Sequence, residues 1–182
     1  MIDNGTTSVA RTLEALDAEE ARYNGQLEAA HHIDEFALLV VDPNSLRRLT
    51  DILFTFGWQQ FNEATDYVKT GPIRSAYSVG YYFFKNPEKA YRLEVMRMID
   101  GVSPLHAAIP TPMSRQVCTP VHASFKCQDE ETYAVARYML DENGYTLAQQ
   151  CESTYGRFSY FTELSQLAPR VPYLKPRVNT RD

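Results

Sequence analysis

Residues 33–41 form an almost wholly apolar run, which predicts a strand covered on both faces. Asp42-Pro43 follows, an N-cap residue and then a proline suited to the first helical position. Leu46, Leu49, Leu53 and Phe56 then recur at helical spacing, and Gly57 closes that helix. Three strands are expected next, over 58–66, 74–84 and 90–99, with turns at Thr70-Gly71-Pro72 and Lys85-Asn86-Pro87. Residues 100–117 carry Pro104, Pro110 and Pro112 and show no period, as a linker would. A strand over 119–128, a helix over 130–142 behind Asp129, and strands over 145–153, 157–162 and 171–175 complete the pattern. From Pro176 the chain reads as a short, polar, loose tail. Ahead of all this, residues 7–30 predict a helix with Leu13, Leu16, Tyr23 and Leu27 near one face, weakened at its end by Gly25.

The order strand, helix, three strands occurs twice, in register. Glu35, Asp42 and Gly57 map onto His122, Asp129 and Gly144 at a constant offset of 87 residues, without a gap. One βαβββ module used twice is therefore expected, an α+β fold whose curved mixed sheet surrounds a central cavity. The expected organisation is an N-terminal helical arm over 1–32, a first module over 33–99, a linker over 100–118, a second module over 119–175, and a tail over 176–182. The arm lies outside the repeat and needs a surface to cover, on its own domain or on a second subunit; a homodimer is expected, with the arm contributing contacts.

Composition narrows the function. A net charge of −5 argues against nucleic acid or an anionic membrane as partner. No apolar run is long enough to span a bilayer, and the polar, acidic N-terminus is unlike a signal peptide. Cys118, Cys127 and Cys151 are odd in number and lack CxxC spacing, which speaks against a disulfide framework and a thiolate zinc site. A cytoplasmic protein is expected. Twelve Tyr and nine Phe supply aromatic area for a core or a pocket. His31-His32 reads as a solvated linker at a helix-to-strand junction.

Strand alternation selects the cavity-facing residues. Ala123, Phe125 and Cys127 should meet the helix, which sends His122, Ser124 and Lys126 to the other face. Phe36, Leu38 and Val40 are the matching helix-facing set, and Glu35 points with His122. Leu93 and Val95 should pack inward, leaving Arg92, Glu94 and Met96 toward the cavity. A carboxylate there is costly without a cation, a metal or donors. Tyr77, Tyr81 and Phe83 read as core. Arg74, Arg92 and Arg97 could meet an anionic substrate or pair at the surface, and His106, in the linker, reads as a surface residue.

With "IDEFALLVVD", "YRLEVM" and "VHASFKCQD" set in a doubled βαβββ pattern, residues 33 to about 175 resemble the vicinal oxygen chelate superfamily, which includes glyoxalase I, bleomycin-resistance proteins, methylmalonyl-CoA epimerase and extradiol dioxygenases. The resemblance implies a divalent metal held by residues on the first and last strands of each module. Carried over, these are Glu35, Glu94 and His122. The last strand of the second module departs from the pattern and offers Lys175, with Glu163 as its substitute only in a shifted register. The implied activity is that of a lyase or isomerase acting on a small-molecule substrate, an oxygenated organic compound, with no organic cofactor. A metal would hold vicinal oxygens, and Glu94 or Glu35 would serve as base. Two alternatives stand beside it: a metal-free binding or resistance protein, and a metal-free cyclase or isomerase using His122 with Glu35 or Glu94. The extradiol reading needs two histidines and one carboxylate, and alternation supplies only one cavity-facing histidine.

Overall fold

The structure, a computed structural model, describes residues 4–27, 31–71, 75–101, 104–107, 116–163 and 171–179. The elements run α1 (Asn4–Gln26), β1 (Glu35–Val40), α2 (Pro43–Thr55), β2 (Gln59–Gly71), β3 (Ser75–Lys85), β4 (Arg92–Asp100), α3 (Pro104–Ala107), β5 (Thr119–Cys127), α4 (Glu130–Glu142), β6 (Tyr145–Ser153), β7 (Gly156–Glu163) and β8 (Tyr173–Asn179). Local chemistry sets both long internal helices in the same way. Asp42 accepts the Ser45 N–H at 2.7 Å and Asp129 accepts the Thr132 N–H at 2.7 Å, each as an N-cap. Gly57 and Gly144 follow the two helices with the same φ of 84°, a left-handed conformation that costs glycine little.

The strands close into one barrel in the order β1-β4-β3-β2-β6-β7-β8-β5. Within each half the first and last strands run parallel: β1 beside β4, β5 beside β8. The halves meet along two antiparallel seams. The β1–β5 seam pairs Glu35 with Ser124 and Ala37 with His122. Adding 87 to the first members gives His122 and Ser124, so these two pairs are one pair seen from either side of a pseudo-twofold axis. The β2–β6 seam is shorter and consists of Lys69↔Glu152, Thr70↔Cys151 and Gly71↔Gln150.

Two apolar cores follow from strand alternation. The outer core lies between sheet and helices and contains Phe36, Leu38, Leu93, Val95, Ala123 and Phe125. The inner core fills part of the barrel with Ala37, Val68, Tyr77, Met96, Cys151 and Tyr160. An eight-stranded barrel has just enough room for side chains or for one small ligand. Here the inner core takes one part and leaves the rest open.

Helix α1 covers its own chain. Val9, Leu13, Leu16 and Tyr23 are buried in the outer core. Arg22 pairs with Glu163 at 2.8 Å, and Lys89 and the Tyr91 hydroxyl reach Asp17 at 2.6 and 2.7 Å. Glu163 is thereby tied to the arm and stands apart from the cavity.

Three expectations need correction. Strand β8 continues past Lys175 to Asn179, so the residues after Pro176 begin as buried strand and not as a loose tail. His106 is buried on α3, between Tyr77 and Tyr160 at 5.7 and 5.9 Å, where no periodicity marked it as interior. His31 is buried edge-on against Phe125 at 5.2 Å, while His32 beside it is exposed. The expected positions of Arg74, Pro110 and Pro112 lie outside the described residues. No helix among the described residues is long and apolar enough to cross a membrane, and all three cysteines are free and buried.

Candidate active site

The open part of the barrel is a cavity of about 410 Å³. Glu35, Glu94, Arg92, Lys175 and Arg177 supply its charged wall, and Tyr81, Phe83 and Phe158 supply aromatic faces. A concave pocket with a few converging polar groups is the usual form of a small-molecule site. Tyr81 and Phe83, expected as core, therefore line the cavity as well as pack.

Four strands bring the polar groups together. Glu35 on β1 is 1 % exposed, Glu94 on β4 is 5 %, His122 on β5 is 0 %, and Lys175 on β8 is 4 %. His122 Nε2 lies 3.6 Å from Glu94 Oε1, 4.0 Å from Glu35 Oε1 and 3.3 Å from Lys175 Nζ. Lys175 Nζ lies 3.9 Å from Glu94 Oε1. Arg92 donates to Glu35 Oε2 through Nε at 2.7 Å and Nη2 at 2.6 Å. Glu35 Oε1 and Glu94 Oε1 are buried without a hydrogen-bond partner among the described residues.

These surroundings push the two carboxylates apart. Burial alone would raise Glu35, but Arg177, His122, Arg92 and Lys175 outweigh it and hold that carboxylate well below its ordinary range. Burial raises Glu94, and the charge of Glu35 raises it further, to about 8. His122 is lowered to about 3 by burial and then by Lys175, so its imidazole is neutral at physiological pH. The pair thus presents one permanent anion and one carboxyl poised to gain or lose a proton, the division expected of an acid–base site.

Arg177 was not expected here. It is 8 % exposed, clamps Asp34 with two contacts of 2.8 Å, and donates to the Ser124 hydroxyl at 2.6 Å. Ser124 in turn donates to the Lys175 carbonyl at 2.9 Å. The alternation Tyr173, Lys175, Arg177 was the available signal, and Pro176 obscured it. The ladder between β7 and β8 pairs Phe158 with Arg177 and Phe161 with Leu174 and skips the residues between, where the proline has no N–H to give. Three expected cavity residues sit elsewhere, and the first is Ser124, fully buried off the cavity wall. Met96 is packed in the inner core, and Lys126 is exposed in a separate shallow cleft shared with Asp34 and Arg177.

Glu35, Glu94 and His122 offer three ligand atoms within 4.8 Å of one another, a buried group that could hold a divalent metal. Lys175 changes that fit. Its amine stands against two of the three donors, so the group already contains a cation and has no place for a second unless that amine moves.

His106 lies behind this wall with neither ring nitrogen bonded among the described residues. Burial, and then Lys175, lowers it from 6.5 to about 4. Its neutral form is favoured by folding, so its stabilising contribution is full above pH 6.5 and is lost as pH falls toward 4. Urea unfolding of the protein and of His106→Phe should therefore diverge below that upper limit, by about 1.4 kcal/mol per pH unit at most. Parallel pH profiles would show that His106 carries no such linkage.

No protein-family model matches the sequence, and no curated protein matches it either. Among solved structures, methylmalonyl-CoA epimerase from Mycobacterium tuberculosis aligns with a TM-score of 0.52 at 14 % identity, over 82 % of this chain and 88 % of that one. A variant of the Streptomyces coelicolor methylmalonyl-CoA epimerase in complex with 2-nitronate-propionyl-CoA gives 0.45 at 9 % identity, over 82 % and 97 %. A catechol 2,3-dioxygenase gives 0.39 at 12 % identity, over 82 % and 44 %. The chain shares the fold of the Mycobacterium tuberculosis epimerase, an α+β fold with a curved mixed sheet, as expected from the doubled module. At such identities the likeness speaks for the fold, and the activity has to be argued from the site.

Proposed function

We propose that this protein is an enzyme of lyase or isomerase type that moves a proton at a carbon beside a carbonyl group in a small oxygenated organic substrate. The observation that carries the reading is Glu94: a buried carboxyl with an unpartnered Oε1, opening onto the cavity and raised to about 8. A base with that affinity can take a proton from carbon and return it near neutral pH. Glu35 is fixed by Arg92 and stays ionised, so its part is electrostatic: it keeps Glu94 basic. The aromatic faces of Tyr81, Phe83 and Phe158 exclude water from the reacting carbon. The name of the epimerase from Mycobacterium tuberculosis belongs to the same reaction class. A cavity of about 410 Å³ suits the acyl end of such a substrate. The assembly is proposed to be a homodimer and the location cytoplasmic. The exposed aromatic residues Phe54 and Tyr67 support an interface, and the three free cysteines support a reducing compartment. A monomeric mass in solution would remove the dimer from this reading.

The test is hydrogen exchange at carbon. The protein is incubated in D₂O with a panel of α-substituted thioesters, 2-oxo acids and 2-hydroxy carbonyl compounds, and the α-proton signal is followed by NMR. Enzyme-dependent loss of that signal is expected for at least one class. Saturable binding of these compounds without any exchange would replace the enzyme reading with that of a binding protein.

A further inference from the structure

We infer that Lys175 is the resident cation of this site, that it excludes a divalent metal, and that its ammonium holds the substrate's carbonyl oxygen as negative charge develops there. This rests on the reading of the cavity as a proton-transfer site and deepens it.

The internal repeat places Lys175. In the β1–β4 ladder Ala37 pairs with Glu94, and in the β5–β8 ladder Ser124 pairs with Lys175. Ala37 and Ser124 differ by 87, the offset that relates Glu35 to His122. Lys175 is therefore the counterpart of Glu94 across the pseudo-twofold axis. The four equivalent corners of the site carry a carboxylate, a carboxyl, an imidazole and an amine.

Charge balance points the same way. Glu35 is already neutralised by Arg92, and Arg177 lies close behind it with Asp34 as its own partner. Lys175 offsets whatever charge Glu94 carries. The group thus has no surplus negative charge to attract a divalent ion. An ion bound by Glu94 and His122 would stand directly against the ammonium, in a buried space where little water screens the repulsion.

The amine is also positioned to act. Nζ lies 4.6 Å from the centre of the Phe158 ring and borders the cavity. Among the described residues His122 is the hydrogen-bond partner of Nζ at 3.3 Å, and Glu94 Oε1 stands at 3.9 Å as an ion-pair neighbour, which leaves N–H directions for a ligand oxygen. No covalent bond to substrate is required. Glu94 removes the proton, the electron pair moves to the carbonyl oxygen, and the ammonium stabilises that oxyanion until the proton returns.

The full-length protein, Lys175→Glu and Lys175→Gln are purified without chelator, checked for fold by circular dichroism, loaded with Co²⁺, desalted and analysed for metal. The unaltered protein is expected to retain none. Lys175→Glu, which places a carboxylate at the fourth corner, is expected to retain close to one Co²⁺ per chain with a visible ligand-field spectrum. Exchange at carbon should be unaffected by EDTA in the unaltered protein and about 100-fold slower in Lys175→Gln. Stoichiometric metal in the unaltered protein, or exchange that EDTA abolishes, would overturn the inference and leave the proton-transfer reading intact. A folded Lys175→Glu without cobalt would also overturn it, by showing that this corner does not control metal access. The absence of exchange with every compound would instead count against the proton-transfer reading, while the metal results would still decide whether Lys175 excludes an ion.

Discussion

Glu94→Gln is expected to slow exchange at the substrate carbon by about a hundred- to ten-thousand-fold with the fold retained. Glutamine keeps the volume and one carbonyl oxygen of the side chain but cannot accept a proton from carbon. The substitution also removes the acidic group whose proton is held up by burial and by Glu35. The stability effect should be small, because glutamine imitates the protonated form that burial already favours. Affinity for a ground-state ligand should change far less than turnover, since the amide still fills the same wall. The measurement is NMR-detected α-proton loss beside a binding titration of the same compound. Equal losses in affinity and in rate would assign Glu94 to binding.

Arg177→Met is expected to cost about 3–5 kcal/mol of folding stability. The guanidinium is 8 % exposed and satisfies Asp34 and Ser124, and it is the foremost of the charges that keep Glu35 ionised. Methionine fills the stem volume and leaves Glu35 with less compensation. The pH dependence should change with a definite sign. Glu35 lies below its ordinary 4.5, so it adds stability above that pH, and this is lost on acidification. With Arg177 gone, Glu35 moves upward and that acid-side gain shrinks. Urea unfolding of both proteins from neutral pH to well below 4.5 checks the two effects together. A variant as stable as its parent, with the same acid limb, would show that Arg177 supports neither the fold nor Glu35.

What the sequence revealed depended on the range of the forces involved. Asp42, Asp129, Gly57 and Gly144 are legible because a cap is made within a few residues of chain. The outward set of Phe36, Leu38, Ala123 and Phe125, and the shared face of Glu35, Glu94 and His122, follow from an alternation of period two. The same alternation misplaced Lys126. It gives a direction but not a depth, and Lys126 stands at the rim, outside the cavity. Arg177 was lost to a local rule: a proline normally ends a strand, yet here Pro176 falls where β7 leaves the ladder unpaired. His106 could not be found locally, because its burial comes from Tyr77 and Tyr160, distant in sequence and with no shared period. Barrel closure was equally hidden, resting on the three pairs between β2 and β6.

The unlike corners of the repeat bear on handedness. A planar enolate held near the pseudo-twofold axis would meet the same groups above and below if both modules carried matching residues, and its two faces would be interchangeable. Here Glu94 is answered by Lys175, and Glu35 by His122. In the proposed reaction Lys175, 3.9 Å from Glu94, would hold the oxygen of a flat intermediate while Glu94 serves one face, and no second carboxyl answers Glu94 across the axis. A doubled frame can thereby support a handed reaction, because the two modules share a topology and differ at these corners.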